Sequence, residues 1–461
     1  MSTVEKSPNA AAGSNSVTRA YLDRLGATRA LAETVQSTCA GSALKAALGP
    51  QGFLTRPAFI EAKELAPLVT DLQCVLRLLR QLPQRLHGGD WDAYCQELRI
   101  PSALRELTGP EPPADRRFRV RADLLYDNTF RLLEFNFGSA TGGAAAGELG
   151  RAMLEVPALS AFAEEHGLRH IHPVACLAPS LMAAAEELGV KQPVVALVEW
   201  PTSFRRAEAT LRAWARALTR AGLDCRPCHI AQLDPRPNGL YLDRRKVDVA
   251  VRVFTLTDVL TAPEMAQPLV QATRHGQVVL YTGLDNAALD GKNTLALLST
   301  ADPRLQMNDR EAQAVQRLLP WTRVVRAGRT QADGHHVDLV DYLHAHQKEL
   351  VLKPALAHRG NGVRCGWSMT EHEWKNAVAS ALRHGATVAQ RRVHPRPEAF
   401  PTEAGMQDTA LVWGVYLTER GLAGLAVKGT PGTQPEVINY CNGARLGVVL
   451  HQPVEADNRS H

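Results

Sequence analysis

Apolar and polar residues alternate along two neighbouring runs of the chain, 118–125 and 130–137. Alternation at a period of two predicts strands with one buried face. Asp127 and Asn128 lie between the runs, and both residue types tolerate the left-handed backbone of a tight turn. A two-residue turn there pairs Tyr126 with Thr129 and sets Arg121 opposite Glu134. Side chains two apart on a strand share a face. Arg121, Asp123, Glu134 and Asn136 therefore converge on one side. Val120, Ala122, Leu124, Leu133, Phe135 and Phe137 are expected to bury on the other.

The rest of the chain divides by period. From Val17 to about Thr108 the pattern is helical, best at Leu65, Leu68, Leu72, Val75, Leu76 and Leu79. Pro50-Gln-Gly52, His87-Gly-Gly89 and Gly109-Pro-Glu-Pro-Pro113 punctuate it. This region reads as a helical cap over the core, with a partner-binding module as the other option. A helix is expected over 144–166. Strands at 194–198, 247–254 and 278–282 then alternate with helices such as 204–221, predicting an α/β layer with a mainly parallel sheet. Further strands are expected at 350–354, 387–391, 411–417, 422–428 and 436–440. Thr370 and Glu373 form a capping box for a helix over 370–382. The stretch 393–406 reads as a long connection. The resulting division is a tail over 1–16, a helical region over 17–114, the hairpin plus α/β layer over 115–300, a nucleotide-binding part over 301–453, and a frayed tail over 454–461.

Composition narrows the class. Hydrophobic content of 45% over 461 residues supports a globular chain of about two or three domains. The net charge of +5 without a block of like charge leans towards an anionic ligand and gives little support for nucleic acid. No apolar run reaches membrane-spanning length, and the N-terminal stretch has no apolar segment of the signal-peptide kind. The cytoplasm is the expected compartment, with the eight cysteines reduced. Cys225-Arg-Pro-Cys228 has redox or zinc spacing but lacks a second pair, so structural thiols are expected.

The hairpin carries the candidate chemistry. Two carboxylates and an amide oxygen are hard ligands suited to Mg²⁺, and an arginine beside them can stabilise a transferring phosphoryl group. Gly138, Gly142 and Gly143, with Ser139 and Thr141 between, would let backbone N–H groups approach an anion. A surface salt-bridge lattice would use the same four polar residues, and the hairpin alone leaves the two readings level. Lys292 opens an apolar helix, where the dipole disfavours a cation unless an anion is near. Lys353 closes an apolar strand, and His358-Arg359-Gly360-Asn361-Gly362 follows as a loop suited to phosphates or as a plain hairpin loop. Glu199-Trp200-Pro201 at a strand end reads as a substrate-facing segment or as a turn.

Together these pieces resemble the ATP-grasp carboxylate–amine ligases, and most closely the circularly permuted branch typified by the synthetase domain of glutathionylspermidine synthetase. The resemblance rests on Arg121, Asp123, Glu134, Asn136, Ser139 and Thr141, on Lys353-Pro354 followed by Arg359-Gly360, and on Lys292 before an apolar helix. It covers about residues 115–450. It implies an ATP-grasp fold of α/β (α+β) class with an N-terminal helical region and a preATP-grasp-like α/β layer. It implies Mg²⁺ on Asp123, Glu134 and Asn136, ATP contacts from Lys292, Lys353 and Gln390, acyl-substrate contacts from Ser139 and Thr141, and catalytic roles for Arg121 and Arg359. The implied reaction joins a small-molecule or peptide carboxylate to an amine through an acyl-phosphate, in the manner of natural-product or peptide biosynthesis. No amidase domain is found, and glutathione and spermidine specificity does not carry over. A non-catalytic ATP-binding partner of the same fold is the alternative, and a kinase-like enzyme that stops at the acyl-phosphate or transfers phosphate elsewhere is a third. A homo-oligomer is left open.

Overall fold

The structure is a computed structural model that describes residues 15–24, 29–39, 52–108, 117–137, 142–357, 360–402, 405–433, 435–439 and 442–454. Ser139, Thr141 and Arg359 lie outside the described residues.

The predicted hairpin forms, with strands Arg119–Tyr126 and Phe130–Phe137. Its register differs from the expected one. Tyr126 pairs with Phe130, so the loop has three residues, Asp127 to Thr129. A β-bulge follows, and Asp123 then lies opposite Glu134 and Arg121 opposite Asn136. The bulge corrects one core assignment. Leu132 is fully buried, while Leu133 turns to the opposite face and lines a cavity. An extra residue in one strand shifts the alternation of everything before it, which a simple count of two could not anticipate.

The hairpin forms one edge of a seven-stranded sheet in the order Ala58–Ile60, Arg445–His451, Gly421–Pro431, Gly405–Thr418, Arg119–Tyr126, Phe130–Phe137, with Glu398–Thr402 added beside Gly405–Thr418. The face carrying Val120, Ala122, Leu124, Leu132 and Phe135 shares a core with the helix Ala62–His87 through Leu65, Leu72, Val75 and Leu79. That helix starts on a capping box between Glu61 and Glu64 and ends at Gly88 in left-handed conformation, φ 61°. The described residues of the N-terminal region are therefore mainly helical, with the strand Ala58–Ile60 pairing in parallel with Arg445–His451. Three apolar residues were too short a run to show that strand in the sequence.

A second sheet is parallel throughout, in the order Val279–Tyr281, Val249–Arg252, Val194–Glu199, Asp224–His229. Three of its strands, Val279–Tyr281, Val249–Arg252 and Val194–Glu199, are near-continuous apolar runs, as expected for strands covered on both faces, while the edge strand Asp224–His229 is polar and half-buried. The helix Pro201–Arg220 packs on it through Leu211, Trp214 and Leu218. Cys225 and Cys228 are both buried, and burial pushes the Cys228 thiol up to about 12, the behaviour of inert structural thiols. Glu199 accepts hydrogen bonds from Trp200 N (2.8 Å) and Ser203 Oγ (2.9 Å), which hold its carboxylate against the first turn of the next helix.

A third sheet, antiparallel, runs Thr322–Val324, Thr387–Arg391, Leu350–Pro354, Arg364–Cys365. The helix Glu371–His384 covers it with the predicted Thr370–Glu373 capping box. Three further expectations are corrected. The single helix over 144–166 is two, Ala144–Met153 and Pro157–Glu165, because Pro157 opens a new helix at a position where its missing N–H costs nothing. Residues 436–439 are irregular, and the third strand of the C-terminal antiparallel group is Arg445–His451. The connection over 393–406 contains the strand Glu398–Thr402.

Candidate active site

One face of the large sheet, left uncovered by the helix Ala62–His87, floors a cavity of about 580 Å³. Arg121, Asp123, Glu134 and Asn136 all line it, together with Lys292, Lys353 and Gln390. All seven candidate residues within the described chain thus meet in one place, although they come from the hairpin, from the start of the helix Lys292–Thr300 and from the third sheet.

Local folding fixes each one. Arg121 and Asp123 are two apart on a strand, and the guanidinium clasps both carboxylate oxygens, Nε to Oδ1 at 2.5 Å and Nη2 to Oδ2 at 2.8 Å. Gly414, paired with Asp123 on the next strand, leaves room for this. A Cβ there would stand 3.0 Å from Arg121 Cδ. Lys292 Nζ meets Glu134 Oε2 at 3.0 Å and donates to Ala357 O at 2.7 Å. Lys353 and Gln390 are diagonal neighbours across an antiparallel pair. Lys353 Nζ donates to Gln390 Oε1 at 2.6 Å, and Gln390 Nε2 donates to Thr322 Oγ1 at 3.1 Å. Burial holds the Lys353 ammonium down to about 8, against the partial support of Glu134.

Two residues escaped the sequence reading. Lys428 lines the same cavity, with Nζ 3.5 Å from Asp123 Oδ2. Burial, with Arg121 nearby, lowers its pKa. Its signal was the one that found Lys353: a lysine closing an apolar β run. Arg119 is 1% exposed, and its guanidinium lies 4.6 Å from the Trp214 ring and 5.2 Å from the Tyr416 ring. It donates to Gly142 O at 2.5 Å and to Pro173 O at 3.3 Å. Arg119 thereby ties the large sheet to the cavity wall at Gly142 and to the helix Pro201–Arg220. The alternation Arg119, Arg121, Asp123 carried that signal.

The donor set suits Mg²⁺. Asp123 and Glu134 offer carboxylate oxygens, and the side-chain nitrogen of the buried Asn136 has no hydrogen-bond partner among the described residues. No group of three or more histidine, cysteine or acidic residues placed to hold a metal occurs among the described residues, so this site needs the amide or oxygens of a ligand to complete it. Electrostatics fits a polyanion. Among the described residues, six cations (Arg121, Lys292, Lys353, Arg391, Arg392, Lys428) and three carboxylates (Asp123, Glu134, Glu436) line the cavity. An excess of positive charge between apolar walls concentrates anions. Val351, Trp367, Val393 and Ile438 make another part of the wall apolar, with the Arg392 guanidinium 4.1 Å from the Trp367 ring. No helix of the described residues is long and apolar enough to cross a membrane.

No family model and no curated protein matches the chain. Among solved structures it is similar to a glutathione synthetase-like effector from Globodera pallida in apo form, with 13% identity, coverage of 91% of this chain and 96% of that one, and a TM-score of 0.55. A candidate γ-glutamylcysteine synthetase from Methylobacillus flagellatus aligns at 14% identity over 86% of this chain and 90% of that one, with a TM-score of 0.43, too loose to carry an argument. At such identities the first likeness shows the fold alone. This chain has the mixed α+β fold of a glutathione synthetase-like protein.

Proposed function

We propose that this chain is an ATP- and Mg²⁺-dependent carboxylate–amine ligase of ATP-grasp type, forming an amide bond through an acyl-phosphate. One observation carries the proposal: Arg121, Asp123, Glu134 and Asn136 share one sheet face and line a single cavity with Lys292, Lys353 and Lys428. A surface salt-bridge lattice would not be buried, yet Arg121, Asp123, Asn136, Lys292 and Lys353 all are. The name of the structural neighbour, a glutathione synthetase-like protein, agrees with the reaction class.

A carboxylate is a poor electrophile, so it is first phosphorylated: a carboxylate oxygen attacks the γ-phosphorus of ATP and ADP leaves. The amine nitrogen then attacks the acyl carbon, phosphate departs and the amine loses a proton. Asp123, Glu134 and Asn136 would hold Mg²⁺, which would supply positive charge to offset that on the phosphate oxygens. Lys292, Lys353 and Lys428 bind the phosphates as point charges. Arg121, kept in one orientation by Asp123, directs its remaining N–H groups at the charge that builds on the transferring group. The apolar wall at Val351, Trp367 and Ile438 suits an adenine ring, within a nucleotide-binding part spanning about 301–453. The roles of Ser139 and Thr141 towards the acyl substrate, and of Arg359, rest on the resemblance.

The decisive experiment is amine-dependent ADP release across a panel of acids, with hydroxylamine trapping the activated acyl group. E134Q keeps the size of the side chain and removes the charge. Turnover by that variant equal to the parent protein would end the metal assignment, and ATP binding without turnover on any acid would point to the non-catalytic alternative.

A further inference from the structure

Thr322, Gln390 and Lys353 stand on three neighbouring strands of the antiparallel sheet, Thr322–Val324, Thr387–Arg391 and Leu350–Pro354. Thr322 lies opposite Gln390 on one side, and Val351, two residues before Lys353, lies opposite it on the other. Opposed residues share a face, and so do residues two apart on a strand. The three side chains therefore form a row on one face of the sheet. Lys353 and Gln390 line the cavity, Thr322 stands behind Gln390, and all three are buried.

Hydrogen-bond accounting gives the row a direction. Thr322 Oγ1 donates its single proton to Pro320 O at 2.9 Å. Towards Gln390 it can then only accept, and Gln390 Nε2 lies 3.1 Å away. The nitrogen end of the amide is drawn to Thr322, which leaves the oxygen end for Lys353 Nζ at 2.6 Å. A flipped amide would aim N–H groups at an ammonium and would need a second hydroxyl proton, so one orientation satisfies the row. Thr322 is itself fixed from behind. Its N–H donates to Ser299 Oγ at 3.0 Å, and Arg323 Nη1 donates to the same oxygen at 3.0 Å. Ser299 belongs to the last turn of the helix Lys292–Thr300, so Lys353 is referred to the helix that opens with the other cavity lysine, Lys292. The resemblance implied a contact from Gln390 to ATP; its amide is instead engaged at both ends within the protein.

We propose that Gln390 and Thr322 are positioning residues that hold the Lys353 ammonium at the nucleotide phosphates: Thr322 orients the amide, and the amide oxygen orients the lysine. This rests on the ligase reading as far as ATP binding. Lysine is a point charge on a flexible stem, so its value to a phosphate depends on where the stem is held. A neutral amide oxygen engages one N–H of the ammonium and leaves the others for phosphate oxygens, without cancelling the positive charge as a carboxylate would.

Calorimetry with MgATP on the full chain reads the effect. Q390M is expected to weaken ATP binding roughly tenfold, the usual size of a hydrogen bond to a charged group, and T322V, which keeps the shape of Thr322 without its hydroxyl, about fivefold. T322S keeps the hydroxyl and is expected to bind as the parent chain does. A merely structural role would weaken binding whether or not the lysine is present, so Q390M and T322V are repeated in K353M, where neither is expected to cause a further loss. Full affinity in both single variants overturns the proposal. So does an equal loss in the K353M background, or a loss in T322S as large as in T322V. The ADP-release assay keeps this apart from the ligase reading. The expected binding pattern without turnover on any acid ends the ligase reading and supports the positioning role, whereas a parent chain that binds no ATP overturns both.

Discussion

Lys292 Nζ stands 3.0 Å from Glu134 Oε2 and 2.7 Å from the carbonyl of Ala357. A lysine at the first position of a helix sits where the dipole opposes it. Glu134 offsets that cost, and the contact ties the hairpin, the helix Lys292–Thr300 and the segment just beyond Lys353 into one frame. Replacing Glu134 with Gln retains an oxygen for Lys292 but removes a metal charge. E134Q is expected to lower ATP turnover by about a hundredfold or more, in line with loss of a charge that acts on phosphoryl transfer, and to lower the urea midpoint as well, because the buried Lys292 loses its counter-charge. Urea denaturation followed by circular dichroism alongside the ADP assay checks both halves.

Lys353 gives a pH dependence whose sign differs between stability and binding. Its folded-state pKa is down at about 8 against an ordinary 10.5, chiefly through burial. Below pH 8 both states are protonated and the folded protein bears the full cost of the buried charge. Between 8 and 10.5 the folded state gives up its proton first, so the stability contribution of this group improves as pH rises through that window. On the proposed role of Lys353, nucleotide binding needs the ammonium and runs the other way. ATP affinity of the free protein is expected to fall about tenfold between pH 7 and pH 9, following the fraction of charged lysine. In K353M that dependence should vanish, and isothermal titration at the two pH values measures it.

Gly414 is required by its neighbour and not by its own backbone. A Cβ on this residue would lie 3.0 Å from Cδ and 3.4 Å from Cγ of Arg121. Arg121 is a flexible side chain and can yield to a methyl group, but then it loses its two-point hold on Asp123. G414A is expected to reduce turnover more than stability, whereas G414V adds overpacking of about 1–3 kcal/mol. Chemical denaturation and ADP release on the two variants separate these effects.

Arg119 holds the cavity wall from behind. Removing its guanidinium leaves the carbonyls of Gly142 and Pro173 without this donor and empties the space between Trp214 and Tyr416. R119M is expected to cost about 2–4 kcal/mol, combining lost hydrogen bonds with lost ring contacts. A lower urea midpoint at an unchanged slope is the expected readout.

Mg²⁺ and ATP together are expected to stabilise the protein, by about 2.7 kcal/mol at a hundredfold excess over Kd. Chelation of Mg²⁺ should remove most of that gain, and in E134Q the two conditions should differ little. A thermal shift series with ATP, with and without EDTA, tests it.

The alternation around Asp127 determined that a hairpin forms and that Arg121, Asp123, Glu134 and Asn136 share a face, because side-chain direction in a strand is a local property of the backbone. The Thr370 capping box and the parallel strand at Val194–Glu199 were legible for the same reason: each depends on residues within a few positions of one another. The register was not. The three-residue loop and the bulge at Leu133 are set by which side chain the core and the neighbouring strand accept, so Leu132 rather than Leu133 was buried. The short strand Ala58–Ile60 exists only through its partner nearly four hundred residues away. The convergence of Lys292, Lys353 and Lys428 on the hairpin, and the placing of Thr210 in the same cavity, were likewise decided by packing between distant segments, whose energies no local pattern encodes.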